Sequence, residues 1–398
     1  MIRTLINRTI VLIAILALLF SCSNRRSNSD AIYVYSIDPT NRALYARFDD
    51  LFDRIELIPF ETRDDVLMSS LLRNVQFTNN QIVVLDRVQQ KIMFFDKNGT
   101  FERAISRQGR GPGEYIDAPD YYFDEKSGNT LVLTMFAEVY IYDKELRFID
   151  SYKLPDRAAT DFQPVSENII VWISLAHMTS GLPVMYIYDI SKDEIISETE
   201  LAECLRTYSS GMMSTFYSPF VKYEDRYLAI LSQEKKILEI NPETGELSEY
   251  IFFDFGRYSR RGDCNLFEER LYQASRAEAE DFRQNYPWNN KVYSLTSFFE
   301  TNDRIAVNYF FYDRFNLGSD IALINKKTGK YSLISRDFDF KRTMALVHMD
   351  DEGIYFIVDA HEINDYVDAK FMDQRNIAKL NSIAYDDNPV IVKYVFKK

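Results

Sequence analysis

A unit of about 45 residues recurs along the chain, and this recurrence limits the possible folds more than any other feature. Each unit has two strand-like runs, a mostly apolar pair followed by Asp or Asn, a polar turn and another strand. The intervals between successive markers are 47, 46, 52 and 84 residues, the markers being Asp96, Asp143, Asp189, Asn241 and Asn325. Repeats of this length built from four short strands are typical of β-propellers.

The turns after the markers favour β-hairpins. Residues 96–99, 241–245 and 325–329 begin with Asp or Asn and end with Gly, where a positive φ is needed. The flanking runs, such as Gln81–Asp86 and Arg304–Phe311, are rich in the β-branched and aromatic residues that strands prefer. Each unit therefore predicts strands joined by short turns.

The sequence thus predicts an all-β fold, a six-bladed β-propeller of four-stranded antiparallel blades. The predicted blades span about 66–110, 111–155, 156–202, 212–256, 291–340 and 341–398. The long interval becomes regular once an insertion at about 257–290 is removed, and a sixth, more degenerate unit fits between Met344 and the C-terminus. Within that insertion, Asn265–Tyr286 has the pattern of an amphipathic helix, so we expect a short helical insertion between blades four and five.

The two ends of the predicted domain are expected to meet. Phe52–Phe60 is strand-like and precedes the first blade, and Val390–Phe396 is the last strand-like run. Pairing between them would complete the sixth blade and remove exposed sheet edges. We therefore assign residues 1–21 to a signal peptide, 22–50 to a tether and lead-in, and 51–398 to a single propeller domain.

The N-terminal residues indicate export. Arg3 and Arg8 flank the start of the eleven-residue apolar run Ile10–Phe20. This run is too short to span a bilayer, which needs about 20 residues, but it suits a signal peptide. Residues 19–22 (LFSC) resemble the lipobox of bacterial lipoproteins, which implies that Cys22 is acylated and anchors the chain in the membrane. The alternative is an ordinary cleaved signal peptide with a chance cysteine.

The residues after Cys22 bear on where such a lipoprotein would lie. Under the sorting rule of enterobacterial lipoproteins, Ser23 fits outer-membrane delivery. Arg25 and Arg26 stand where surface-exported lipoproteins tend to have acidic residues. The resemblance therefore implies an outer-membrane lipoprotein of the cell envelope that faces the periplasm.

The charge of the chain disfavours nucleic-acid binding. The formal net charge is −13, and it becomes −15 when Arg3 and Arg8 are removed with the signal peptide. Neutralising phosphates requires a basic surface instead.

Cys204 and Cys264 could pair in an oxidising compartment, but their separation in sequence says nothing about their distance in space. The sequence has no CxxC motif and no Cys/His cluster, so we predict no structural zinc.

A glycine-rich string carries a family resemblance. Gln108–Tyr115 (QGRGPGEY), together with Val84–Asp86 and Ile92–Gly99, resembles the six-bladed β-propeller lipoproteins of Bacteroides and its relatives. These are distant cousins of NHL-repeat propellers. Asn388–Lys393 also resembles the end of that family. The resemblance implies the fold and an envelope location, and very little about a ligand.

The glycine-rich string also suggests where a ligand would bind. It connects two blades, and such connections share a face with the loops between second and third strands. The candidates for ligand-facing residues on these loops are Arg87, Gln108, Arg110, Glu114, Tyr115, His177, Tyr312, Arg314 and His361. The alternative is that the string is a fixed connection between blades with an internal pair of Arg110 and Glu114.

The sequence favours binding over catalysis. His177, His348 and His361 are the three histidines, they occupy unrelated positions, and His348 is expected to be packed within a strand. Asp86, Asp143 and Asp189 recur by blade, which favours a structural role such as capping a turn. The leading hypothesis is a non-catalytic binding or scaffold module for a glycan, a peptide or a partner protein, without a cofactor. The alternative is a metal-dependent hydrolase or lyase with its site in the central channel.

Overall fold

The protein is a ring of six antiparallel sheets. The computed structural model describes residues 32–69, 72–155, 159–174, 182–200, 218–259, 291–312, 317–335, 340 and 346–398. Within these residues each blade has four antiparallel strands, and one sheet has a fifth strand that pairs in parallel. The first strands of the six blades surround a common axis. The predicted six-bladed β-propeller is therefore confirmed.

The strand bounds follow the predicted units. Two strands precede the first blade, β1 (Tyr33–Ser36) and β2 (Phe52–Pro59). Blade one contains β3 (Leu72–Phe77), β4 (Gln81–Asp86), β5 (Lys91–Asp96) and β6 (Phe101–Ser106). Blade two contains β7 (Asp120–Phe123), β8 (Thr130–Leu133), β9 (Glu138–Tyr142) and β10 (Phe148–Lys153). Blade three contains β11 (Asp161–Pro164), β12 (Ile169–Ile173), β13 (Met185–Asp189) and β14 (Glu194–Thr199).

The remaining blades complete the ring. Blade four contains β15 (Phe220–Tyr223), β16 (Arg226–Leu231), β17 (Lys236–Ile240) and β18 (Leu247–Asp254). Blade five contains β19 (Lys291–Glu300), β20 (Arg304–Tyr312), β21 (Leu317–Asn325) and β22 (Tyr331–Ile334). Blade six contains β23 (Leu346–Met349), β24 (Gly353–Val358) and β25 (Val390–Phe396), with β2 as its fourth strand.

The core lies between the blades because the central strands are covered on both faces. All five residues of β12 are buried, and Trp172 stacks on Tyr186 of the next strand with ring centroids 5.2 Å apart. The outermost strand β10, in contrast, is exposed at all but one of its positions. Continuous apolar runs therefore mark the strands in the middle of a blade, and mixed runs mark the rim.

Ring closure occurs as the sequence predicted. β2 pairs antiparallel with β25, from Phe52 opposite Phe396 to Pro59 opposite Val390. A strand from the start of the described chain therefore completes the sheet that contains its end. β1 adds a fifth strand to blade four by pairing in parallel with β18. This pairing lies within the residues assigned to the tether and lead-in, where the sequence predicts no strand.

Short helices occur in the segments that connect the strands. The α-helices of the described residues are α1 (Phe48–Leu51), α2 (Ile363–Tyr366) and α3 (Gln374–Ser382). Single 3₁₀ turns occur at Arg42–Leu44, Ser232–Glu234, Gly256–Tyr258, Ala360–Glu362 and Ala369–Phe371. Among the described residues, none of the helices has the length and apolar character needed to cross a bilayer.

The helical insertion that the structure describes differs from the one that the sequence predicted. The predicted helix at Asn265–Tyr286 lies outside the described residues. α2 and α3 lie between β24 and β25 of blade six, where the sequence predicts a loop. α3 begins after Asp373, whose side-chain Oδ1 accepts a hydrogen bond from the backbone N–H of Asn376 at 2.8 Å.

Candidate functional site

The propeller presents two different faces. We call the side with the loops between second and third strands and the blade-to-blade connections, such as 87–90 and 107–119, the crossover face. The opposite side carries the hairpin turns within each blade, such as 78–80 and 97–100, and we call it the turn face. The sequence placed the candidate ligand-facing residues on the crossover face.

On the crossover face, two of the candidates hold blades one and two together. The guanidinium of Arg87 donates to the carbonyl of Ala118 at 3.0 Å and lies 3.5 Å from the carboxylate of Asp117. Tyr115 is buried, and its hydroxyl donates to the carbonyl of Gln90 at 3.0 Å. Both side chains are therefore engaged in contacts between a loop of blade one and the connection to blade two.

The glycine-rich string is closed by its own hydrogen bonds. The N–H of Gly109 donates to the carbonyl of Tyr115 at 3.0 Å, and the N–H of Gly111 donates to the carboxylate of Glu114 at 2.8 Å. A Cβ atom at Gly109 would lie 2.0 Å from an oxygen of Glu114, so a larger residue there would displace this carboxylate. This geometry favours the alternative of a fixed connection, with Glu114 bound to its own loop.

The other candidates are dispersed. Gln108 and Arg110 are exposed on the string. His361 is exposed on the 3₁₀ turn before α2, with its ring 5.4 Å from that of Tyr385. Tyr312 ends β20. Cys22, His177 and Arg314 lie outside the described residues, as do Cys204 and Cys264, so these assignments stay predictions.

A cavity of about 890 Å³ lies on the propeller axis at the turn face. It is lined by the first strand of every blade, namely β3, β7, β11, β15, β19 and β23. Its volume falls within the usual range of small-molecule sites, about 300–1,000 Å³. None of the loop candidates that the structure describes lines this axial cavity, whereas Tyr121 and Tyr122 of β7, aromatic candidates for stacking on a sugar, do line it. The sequence pattern identified the ring correctly but gave no sign that its cavity opens on the turn face.

One wall of the axial cavity is fixed by side chains that bridge neighbouring blades. The amide of Gln76 in β3 donates to the carbonyl of Phe123 in β7 at 2.6 Å and accepts from its N–H at 2.9 Å. Asp120 accepts from the side chain of Asn74 at 2.6 Å and from the N–H of Phe162 at 2.9 Å. Burial, followed by the nearby Asp161 carboxylate, raises the pKa of Asp120.

His348 lies at the edge of the axial cavity. Its ring stacks on Phe77, with centroids 4.4 Å apart and an angle of 7° between the planes, and lies 5.1 Å from the ring of Tyr355. Burial lowers the pKa of His348 to about 4, so the imidazole is neutral at pH 7. His348 lies in a strand as expected, but its side chain is half-buried and lines the cavity instead of lying in the core.

A second cavity adjoins the first. This radial cleft of about 420 Å³ lies between blades six and one and is bounded on the outside by β2 and α3. It shares Phe77, Thr78, Lys97, His348 and Asp350 with the axial cavity. The turn face therefore has a site with an axial part and a radial part, and His348 lies where the two adjoin.

The repeated carboxylates are structural. Asp86 accepts from the backbone N–H groups of Val88 and Gln89, and Asp143 accepts from those of Glu145 and Arg147, at 2.9–3.0 Å. Asp189 likewise caps the turn that follows β13. The predicted capping role of these side chains is confirmed. Across the described parts of the chain, no group of three or more His, Cys, Asp or Glu residues is placed to hold a metal ion.

Comparisons with known proteins identify a family and the same fold. A family model described as Domain of unknown function (DUF4934) matches residues 34–395. A crystal structure of a "putative exported protein" from Bacteroides fragilis is 16% identical, covers 92% of this chain and 99% of its own, and has a TM-score of 0.70. A member of the DUF4221 family from Bacteroides vulgatus is 10% identical, with coverages of 87% and 98% and a TM-score of 0.50. No curated protein matches this sequence.

Proposed function

Because this chain belongs to the DUF4934 family, we propose that it is a lipid-anchored binding or scaffold module of the cell envelope that holds a ligand or partner at its turn face. The observation that carries the proposal is the axial cavity, which is lined by strands of all six blades. A ring closed by its terminal strands positions these strands rigidly, and preformed concave sites on rigid scaffolds are typical of ligand binding.

The envelope location is supported by two features. The N-terminal residues have the pattern of a signal peptide with a lipobox, and the similar protein from Bacteroides fragilis carries the description "putative exported protein". A tether that begins at Cys22 would join the ring through β1, which lies on the rim of blade four. The anchor would thus attach at the rim and leave the axial cavity open to a glycan, peptide or partner protein.

The location is tested by replacing the predicted acylation site. We expect the native chain to fractionate with membranes and the Cys22→Ser variant to appear in the soluble envelope fraction. Radiolabelled palmitate should enter only the native chain. Equal membrane association of both chains, without label, would contradict the lipid anchor.

The binding site is tested by photo-crosslinking in intact envelopes. A photoreactive residue at Asn79 reports on the turn face beside the axial cavity, and one at Arg110 reports on the crossover face. Lys144, an exposed residue in the turn between β9 and β10 of blade two, is the matched control. We expect adducts from position 79 and none from position 144. Adducts from position 110 alone would assign the site to the crossover face, and a lack of adducts at all three positions would contradict a binding role.

A further inference from the structure

Three cations line the radial cleft without a carboxylate partner. Lys97 comes from the turn between β5 and β6, and Arg375 and Lys379 come from α3. Among the residues that the structure describes, none of the three has a carboxylate oxygen within the 4.0 Å of an ion pair. The chain as a whole has 60 acidic and 47 basic residues, so unpaired cations that converge on one cleft are unexpected on composition alone.

The carboxylates of the cleft are already engaged. Glu56 accepts from the guanidinium of Arg54 at 2.9 Å, and Glu352 pairs with Lys393. Asp350 accepts from the hydroxyl of Tyr355 at 2.6 Å and from the backbone N–H of Gly353 at 2.9 Å.

Asp373 is the fourth carboxylate, and it caps α3 by accepting from both the backbone and the side chain of Asn376 at 2.8 Å. The acceptor oxygens in the cleft are therefore largely satisfied by neighbouring groups, whereas none of the three cations forms an ion pair with a described carboxylate.

Lys379 is held in an unfavourable place for a cation. Its ammonium donates to the carbonyl of Leu57 at 2.6 Å, so it is fixed at the wall of the cleft instead of extending into solvent. Arg375 lies one turn earlier on the same helix, and like charges at this spacing repel each other. Burial, followed by the charge of Arg375, lowers the pKa of Lys379, and the carboxylates of Glu56 and Asp373 offset this only in part. A bound anion would relieve this repulsion.

We propose that the radial cleft binds the anionic group of a polar small molecule, with Lys97, Arg375 and Lys379 as its cationic partners. This inference rests on the proposed function, because it specifies the ligand chemistry of the same turn-face site. A cleft of about 420 Å³ accommodates a molecule of sugar size. Thr78, Asn98 and His348 give the remaining wall a polar character, which suits a hydrated body with one charged group.

The test measures binding of small anions and a neutral analogue by calorimetry at low ionic strength. The probes are D-glucuronate, glucose 6-phosphate, inorganic phosphate and D-glucose. We expect at least one anionic probe to bind and D-glucose not to bind, with affinity that falls as salt is added. Binding of inorganic phosphate would identify phosphate as the recognised group. Binding of D-glucuronate without phosphate would identify a carboxylate.

Substitutions of the three cations show whether the anion binds in the radial cleft. Arg375→Gln and Lys97→Gln each remove an exposed charge and should lower the affinity for the anion by about tenfold, as expected for the loss of one charge-assisted contact. Lys379→Gln should do the same, and its thermal unfolding shows whether the loss of the bond to Leu57 disturbs the fold. Lys144→Gln is the matched control, because Lys144 follows Asp143 in blade two as Lys97 follows Asp96 in blade one. It should leave binding unchanged.

Two results would overturn the inference. One is the failure of all three anionic probes to bind better than D-glucose, and the other is an equal effect of the Lys97 and Lys144 substitutions. Crosslinks from position 79 that persist in either case would leave the proposed binding function intact. The two proposals therefore fail separately.

Discussion

At the residue scale, Asp and Asn cap the turn after the third strand in the same way, although only Asp carries a charge. Asp189 accepts from the backbone N–H of Ser191 at 3.0 Å, and Asn241 accepts from that of Thr244 at 3.0 Å. The side-chain oxygen begins the turn after the third strand in both blades, and its hydrogen bonds stabilise that turn. Repetition of Asp or Asn along this chain thus reflects turn geometry and does not mark a reactive carboxylate.

His348 is the residue whose environment makes the sharpest prediction. Its pKa is about 4 in the folded protein, against the usual 6.5, because burial disfavours the charged imidazole. The unfolded chain takes up a proton as the pH falls through 6.5, but the folded protein does so only near 4. His348 therefore makes the free energy of unfolding decrease between pH 6.5 and 4, with no further decrease below the folded pKa.

The comparison that isolates this effect uses His348→Phe, which retains a ring beside Phe77 but cannot titrate. We expect the native chain to lose more stability than the variant between pH 7 and pH 4.5, measured by urea unfolding at each pH. His361→Phe is the control, because His361 is exposed. Equal losses in the native chain and the His348 variant would show that the imidazole is not held neutral.

At the element scale, the outer edge of the sixth blade is protected by a helix. The backbone N–H of Leu57 in β2 donates to the side-chain oxygen of Asn376 at 2.9 Å, and its carbonyl accepts from Lys379. Two side chains of α3 thus satisfy the polar groups that a further strand would pair. In blade four the outer strand β18 is covered by another strand, because β1 pairs along it. An unprotected edge would invite pairing with another chain.

Asn376→Ala tests the contribution of this protection. The substitution leaves the N–H of Leu57 buried without its acceptor, which costs about 1–3 kcal/mol in the free energy of unfolding. Gln374→Ala is the matched control, because Gln374 is exposed in the same helix. Chemical denaturation of the three proteins measures the difference. Loss of stability that is no larger than in the control would mean that α3 does not hold the edge.

At the scale of the whole molecule, closure couples the blades into one cooperative unit. β2 lies before blade one in sequence but within blade six in space. The second strand and the last strand of the described chain therefore stabilise the same sheet. Each pair of neighbouring blades also shares a buried apolar cluster, for example the one formed by Phe94 and Ile105 of blade one with Tyr121 and Val132 of blade two. Unfolding of one blade exposes the faces of its neighbours, so we expect a single transition.

Leu57→Ala tests this coupling from one point on the ring. Leu57 is fully buried in β2, and truncation of such a side chain costs about 2–5 kcal/mol. Trp172 is buried in blade three, so its fluorescence reports on a distant part of the ring. In a Trp288→Phe background, we expect the fluorescence midpoint and the far-ultraviolet circular dichroism midpoint to fall together. Separate transitions from the two signals would show that the blades unfold independently.

The sequence alone determined the architecture. The pair followed by Asp or Asn recurs in five units, and a sixth unit without it has similar strand-like runs. The strands and turns that these units specify are local, so the number of blades could be counted. The pairing of Phe52–Pro59 with β25 could be predicted as well. The sixth blade lacks one strand, and Phe52–Pro59 is the strand that no other blade uses, so the two are expected to pair. The binding face could not be derived in this way. A glycine-rich string signals a constrained backbone, and here hydrogen bonds within the string itself account for that constraint.

Only the tertiary structure decided where cavities lie and which charges surround them. Lys97 belongs to the first blade and Arg375 and Lys379 to the last, so they come together only because the ring closes. The helical insertion that carries two of them interrupts the repeat of blade six, and the capping residue Asp373 is the local sequence signal for where its helix begins. A repeat encodes its own strands, whereas a cavity depends on how side chains from all six blades fill the space around one axis.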